Sequence, residues 1–555
     1  MLVQLLHSII TLTLIFTTIY CCGFGILKKI NFKNDQDIFL KILVGYTFVG
    51  TITVLVHFFF KIHNIFSFLL ISSSVIFFTI FYFKELKKEF FIFISLLILI
   101  SPFLFAYSDH PIDSNMYHHP YVSYLKAEKI IFAIANIQFR FGHISFLQFV
   151  QAAFINDFFH DIALSSINII FYLSFIFFVS KKIFIQKKLT YSFLTTILIS
   201  GFILIKFARY REFGNDLIPL LICSYFLIII LDEINKKTNL SNNSFNLFLI
   251  FFALMFVHKI SYVFASLIFI VLFKYKNLKF LSDVKISNIF VSFLILIPWI
   301  VKNYFETSCI VYPIEITCFS NPYYSLSGLA DPSAASWLTE IWAKGFIDNP
   351  EWRSLNLSEY AKGFNWVPTW INGHFIKILE IISPLIFLIF LVSIYLAKNK
   401  KHFFLKKNES ENKKYYSILL ISIFVGLSIW FYKAPIFRYG SFYIISFIII
   451  GYLLLLIQFS KINNSTKLNY FKGIFFICLI FFVTKNMLRI HKSSTEFFPK
   501  TINQDLKIQN INGLNLSRSI NPSSSLCFYT YYICSHELPA NVKVNKLNNY
   551  FVISR

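Results

Sequence analysis

The feature that most restricts this chain is its succession of apolar runs, most of them close to the about 20 residues an α-helix needs to cross the hydrocarbon of a bilayer. They fall at 4–27, 38–60, 63–83, 90–107, 162–180, 189–208, 215–232, 245–258, 260–274, 285–301, 374–397, 415–431, 440–458 and 469–486. Backbone polar groups in lipid must be satisfied within the segment itself, so runs of this kind fold as helices. The expected fold is therefore an all-α polytopic membrane protein with about 13–14 transmembrane helices. The first run follows "MLVQLLHSII", which has neither a basic n-region nor a small-residue cleavage site, and is expected to be a retained span.

The formal charge of +24 would suit a nucleic-acid binder, but the basic residues are not gathered in a binding module. They lie in "KKINFK", "KELKKE", "SKKIFIQKK", "INKKTN", "KYKNLK", "AKNKKHFFLKK" and "SKINNSTK", each between apolar runs, and the spans place all of them on one side. By the positive-inside rule that side is the cytoplasm. Nucleic acid is excluded as a partner, and membrane lipid is the surrounding one.

The stretches left for the outer face are loop 108–161, the turns at 209–214 and 258–260, loop 302–373, the turn 432–439 and a tail from 487. Residues 1–486 read as the transmembrane domain and 487–555 as a small soluble C-terminal cap, α/β or β, with short β-like runs such as "SLCFYTYYIC" and "YFVISR". Within the first loop, 140–161 is apolar at helical spacing but interrupted by Gln148, Gln151 and Asn156, which predicts an amphipathic helix on the outer surface. Cys21, Cys22, Cys223 and Cys478 lie in apolar runs. Cys309 with Cys318 and Cys527 with Cys534 form two close outer pairs, the pattern of disulfides in an oxidising compartment.

Unusual polar residues cluster in these outer stretches. The first loop holds Asp109, His110, Asp113, Tyr117, His118 and His119, followed by Asn136, Arg140 and His143. A carboxylate at the end of a span can act as a general base on a hydroxyl or hold a metal, and nearby His or Arg tunes its pKa. Asp216, in "KFARYREFGNDLIP", is a second acidic group at a span end. Lys259, Lys302 and Arg438 are cations on a face the positive-inside rule leaves poor in them, and phosphate binding is one reason for such placement. Asp113 and Asp216 together suit a divalent cation such as Mg or Mn, the only cofactor these residues suggest. Trp337, Trp342, Trp352, Trp366 and Trp370 offer stacking surfaces in the long loop. No Walker A loop, dinucleotide fingerprint or nucleophile elbow occurs.

The pieces "DSNMYHHPYV", "NIQFRFGHIS", "NDLIP", "HKIS", "PWIVKNYFETSCIVYP", "APIFRYG" and "LCFYTYYICSHELP" together resemble the C-type integral-membrane glycosyltransferases (GT-C), and more closely a related family of bacterial multispanning proteins. The resemblance implies a GT-C-like transmembrane domain in a bacterial inner membrane, with the active site and C-terminus facing the periplasm. It implies transfer of a sugar from a polyprenyl-phosphate donor to a cell-surface glycan or lipid acceptor. Asp113 would be the base, with Asp109 its rival and Asp216 a second acidic group. Arg140, Lys259 and Arg438 would hold the donor phosphate, with Tyr117, His118, Asn136 and Lys302 also contacting substrate. The acidic pair usual in the first loop of that superfamily is not adjacent here, and Arg is expected in related sequences where this chain has Lys302. A carrier of lipid-linked sugars and an O-antigen-type polymerase are the competing readings.

Overall fold

The computed structural model describes residues 2–29, 37–82, 88–105, 113–160, 162–206, 215–236, 244–275, 286–349, 356–398, 409–459, 468–492, 505–520 and 526–555, apart from 528 and 537. Its helices are α1 (Leu2–Lys29), α2 (Ile38–His57), α3 (Asn64–Tyr82), α4 (Lys88–Phe105), α5 (His119–Ala127), α6 (Phe146–Phe154), α7 (Ile162–Ile185), α8 (Tyr191–Lys206), α9 (Leu217–Lys236) and α10 (Ser244–His258). There follow α11 (Ile270–Tyr275), α12 (Ile286–Thr307), α13 (Pro332–Ala343), α14 (Leu357–Ala361), α15 (Val367–Trp370), α16 (Ile376–Lys398), α17 (Glu409–Lys433), α18 (Phe437–Phe459) and α19 (Leu468–Lys492).

Each of the fourteen apolar runs contains a helix, and ten helices among the described residues are both long and apolar enough to cross a membrane. The chain is a multipass membrane protein. Of the four remaining runs, those of α8, α10 and the 3-10 stretch Ile260–Phe269 form shorter apolar helices, and that of α4 has 18 described residues, Lys88–Phe105. Helices α7 and α9 form the middle of the bundle, whereas α3 and α19 lie at its perimeter and present Ile65, Phe68, Ile76, Ile477 and Ile480 outward, where hydrocarbon would cover them. At the end of the bundle away from Asp113, Lys181 pairs with Glu89 at 2.7 Å and Lys182 pairs with Asp232.

Helices α1 and α2 approach closely enough to need glycine. A Cβ at Gly45 would meet the Ile19 carbonyl oxygen at 1.8 Å, and one at Gly23 would meet that of Lys41 at 1.8 Å. Both obstacles are backbone, so neither can swing aside, and small residues at such crossings are what let membrane helices pack. Gly45→Val is expected to separate the two helices and lower the melting temperature sharply or abolish accumulation. Gly451→Ala in α18, where nothing lies within 4 Å, is expected to be neutral or slightly stabilising. Equal melting temperatures for the two variants in detergent would contradict this packing.

The segment 140–161 is not a surface helix. It forms a 3-10 turn, Phe139–Gly142, and then α6, all nine residues of which are buried. The glutamines taken as water-facing are satisfied inside: Gln148 Oε1 accepts from the Ser145 N–H at 2.9 Å, and Gln151 Nε2 donates to the Leu164 carbonyl at 2.7 Å.

The described part of the tail is a β cap. β1 (Leu506–Ile511) and β2 (Leu514–Ser519) form an antiparallel hairpin, β3 (Ile533–Cys534) adds to β2 in parallel, and β4 (Lys543–Leu547) pairs antiparallel with β5 (Tyr550–Ser554). Asn512 and Gly513 both have positive φ, which makes the two-residue turn that matches strand twist. Cys309–Cys318 and Cys527–Cys534 are both disulfide-bonded. The cap packs on the first loop: Phe132 exchanges backbone hydrogen bonds with Phe551 and Ile553, each 2.9 Å, and the Cys527 N–H donates to the Asn115 carbonyl at 3.2 Å.

Candidate functional site

Asp113 opens a π-helical turn, Ser114–His118, that runs into α5. Pro120 explains the wide turn, since it lacks the N–H that would bond to Met116 in a regular helix. The Met116 carbonyl instead accepts from Gln138 Nε2 at 3.3 Å. The turn places Asp113, Tyr117 and His118 side by side at one end of the bundle.

Arg438 is presented by a second local device. Pro435 separates α17 from α18, and the connection is pinned by two indoles: Trp370 Nε1 donates to the Pro435 carbonyl at 2.6 Å and Trp430 Nε1 to that of Ile436 at 2.8 Å. Gly440 is required where the Trp430 ring lies, since a Cβ there would meet it at 2.4 Å. The Arg438 guanidinium donates to Asp113 Oδ2 at 2.5 Å, across 325 residues of sequence.

Lys259 is the single extended residue between α10 and the 3-10 stretch Ile260–Phe269. Its ammonium pairs with Asp216, at the start of α9, and lies 4.0 Å from the centre of the Tyr439 ring. That ring also takes the Arg438 guanidinium, 5.2 Å from its centre. Tyr439 thus joins two ion pairs into one group, Asp113–Arg438 and Lys259–Asp216. The break at Lys259 is tied to α18 by Tyr262, whose hydroxyl meets Ser441 Oγ at 2.8 Å, and by Tyr443, whose hydroxyl donates to the Ser261 carbonyl at 2.7 Å.

Arg140 completes the charged group, with its guanidinium 5.8 Å from the Tyr117 ring and 5.7 Å from the exposed Trp342 ring. Burial raises the Asp113 carboxyl, but the Arg438 charge and hydrogen bond, helped by Arg140, bring it below its ordinary value and keep it ionised. Burial lowers His118 to about 4, so it is neutral at physiological pH, and Gln148 Nε2 lies 3.4 Å from its Nδ1. Among the described residues Arg438, Lys259 and Arg140 thus gather at one place beside Asp113 and Asp216, and cations so grouped suit an anion.

Two of the residues expected in the site serve elsewhere. Lys302 is wholly buried, 2.6 Å from Glu306 Oε1 and 2.8 Å from His57 Nδ1, while Tyr121 and Tyr124 donate to the same carboxylate at 2.8 and 2.9 Å. Its charge is consumed inside the protein. Asn136 is a clasp: its Nδ2 donates to the Ser325 and Ile553 carbonyls at 2.9 and 3.0 Å, and its own carbonyl accepts from Arg555 Nε at 2.6 Å. Asn136→Ala keeps the backbone carbonyl that Arg555 uses but strands the Ser325 and Ile553 carbonyls and the Ser327 N–H, each worth about 1–3 kcal/mol when buried and unpaired. Limited proteolysis is expected to cut the cap of this variant faster than wild type while the membrane domain resists; an unchanged pattern would remove the clasp.

Asp109 and Trp352 lie outside the described residues. Trp366 and Trp370 are buried, which leaves Trp337 and Trp342 as the exposed tryptophans among the described residues of the long loop. Sequence reasoning missed Tyr439, although it adjoins Arg438. Among the described residues no group of three His, Cys, Asp or Glu could hold a metal ion. The described donor set does not fit Mg or Mn, because Asp113 and Asp216 each already face a cation.

The profile of a family described as a domain of unknown function (DUF8201) matches residues 5–445, and the chain belongs to that family. The match takes in Asp113, Asp216, Lys259 and Arg438 and ends before the β cap. No curated protein and no solved structure matches the chain.

Proposed function

We propose that this protein is a GT-C-type glycosyltransferase of a bacterial inner membrane, moving a sugar from a polyprenyl-phosphate donor to a cell-surface glycan or lipid at the periplasmic face. The observation that carries the reading is the convergence of Asp113–Arg438 and Asp216–Lys259 on Tyr439, at helix ends where a lipid phosphate would lie. Asp113 takes the proton of the acceptor hydroxyl as its oxygen attacks the anomeric carbon. The bond from that carbon to the phosphate oxygen breaks, and polyprenyl phosphate leaves. Negative charge grows on the leaving oxygen, and Arg438 and Lys259 are fixed beside it before reaction begins, which is how preorganised cations lower a barrier. His118 and Tyr117 flank Asp113 and orient the acceptor.

The interrupted helix at Lys259 favours a second reading, since carriers build substrate sites from broken helices. Reconstitution with the native lipid-linked sugar separates the two. A transferase releases polyprenyl phosphate and labels an acceptor; movement of the intact lipid-linked sugar between leaflets, with no release, would establish the carrier.

A further inference from the structure

Resting on the proposed reading of this site, we infer that Asp113 and Asp216 are resident anions that an incoming phosphate headgroup displaces from Arg438 and Lys259, so that donor loading itself frees Asp113 to meet the acceptor.

In the resting state each of the two cations is engaged by a carboxylate and by Tyr439. Arg438 donates to Asp113 and lies 3.4 Å from the Tyr439 hydroxyl, and Lys259 is held between Asp216 and the Tyr439 ring. A phosphate bound by these cations competes with the two carboxylates for them. If it entered without exchange, its charge would be added to two carboxylates already held against the same cations. Exchange avoids this, because each carboxylate swings away as the phosphate takes its place. Of the two pairs Asp113–Arg438 is the better suited to exchange, with both side chains 33% exposed against 12% and 16% for Lys259–Asp216, because ion pairs weaken with exposure. The contrast is Lys302–Glu306, with both side chains at 0%, where no ligand can enter and the pair is permanent. Tyr439 keeps the two cations side by side throughout, so they wait for the phosphate rather than scatter when the carboxylates leave.

The inference has an unusual sign. Removing a competing carboxylate strengthens phosphate binding, even where it destroys catalysis. Full-length protein in nanodiscs is titrated with farnesyl phosphate, farnesol and inorganic phosphate by calorimetry. Wild type is expected to prefer farnesyl phosphate to both controls, and Asp113→Asn and Asp216→Asn are each expected to bind it about five- to tenfold more tightly, with farnesol unchanged. Two variants are used so that poor folding of one leaves the other informative. Unchanged or weaker binding in both, with the wild-type preference intact, overturns the exchange and leaves the lipid-phosphate reading standing. Inorganic phosphate binding as well as farnesyl phosphate, or no preference for phosphate over farnesol, removes the lipid-donor reading as well.

Discussion

Under the proposed transferase reading, Asp113→Asn is expected to reduce sugar transfer about 10²–10⁴-fold, the range a positioned general base contributes, while the protein still inserts and folds. The substitution preserves shape and removes the one property the reaction needs, a carboxylate able to take a proton. It removes the partner of Arg438 at a position where both side chains are partly exposed, so the structural cost is small. The readout is recovery of the surface glycan in a strain whose own copy is deleted, with melting temperature measured on the same variant. Full activity in Asp113→Asn would contradict the assignment, and loss confined to Asp109→Asn would move the base to that residue.

Lys302→Met has the largest expected effect on stability. The ammonium lies against Glu306, and that carboxylate also accepts from Tyr121 and Tyr124, all in a region closed to solvent. Taking away one member of a buried pair leaves an uncompensated charge, which costs about 3–5 kcal/mol. The cost should fall when the partner is removed too, so Lys302→Met with Glu306→Leu is expected to be more stable than Lys302→Met alone. Thermal unfolding in detergent decides it. A role in phosphate binding would give the opposite result, with stability unchanged and donor affinity lost.

The fate of Lys302 shows where sequence reading reaches its limit. A lysine near the end of an apolar run looks like a cation awaiting a ligand, yet Glu306 follows it by one helical turn, and that i,i+4 spacing is a pairing signal visible in the sequence. The glutamines of α6 misled in the same way. Polarity was read as exposure, whereas Gln148 and Gln151 satisfy buried backbone groups.

The helices were legible because lipid permits so few alternatives, and every apolar run became one. The β1–β2 hairpin was legible too, through "NG" at 512–513, whereas the described residues of the run "SLCFYTYYIC" contribute the two-residue strand Ile533–Cys534. Asp113, Asp216, Lys259 and Arg438 stood out singly as charges beside spans. Their assembly did not, since it depends on a contact across 325 residues and on the Tyr439 ring, a residue type too common here to attract notice.

The measurement that tests the central claim most directly is a structure of the protein with a bound polyprenyl-phosphate analogue. The account predicts the phosphate between Arg438 and Lys259 beside Tyr439, with Asp113 released from Arg438 and turned toward the space an acceptor would fill. A headgroup lodged elsewhere in the bundle, with both ion pairs intact, would contradict it.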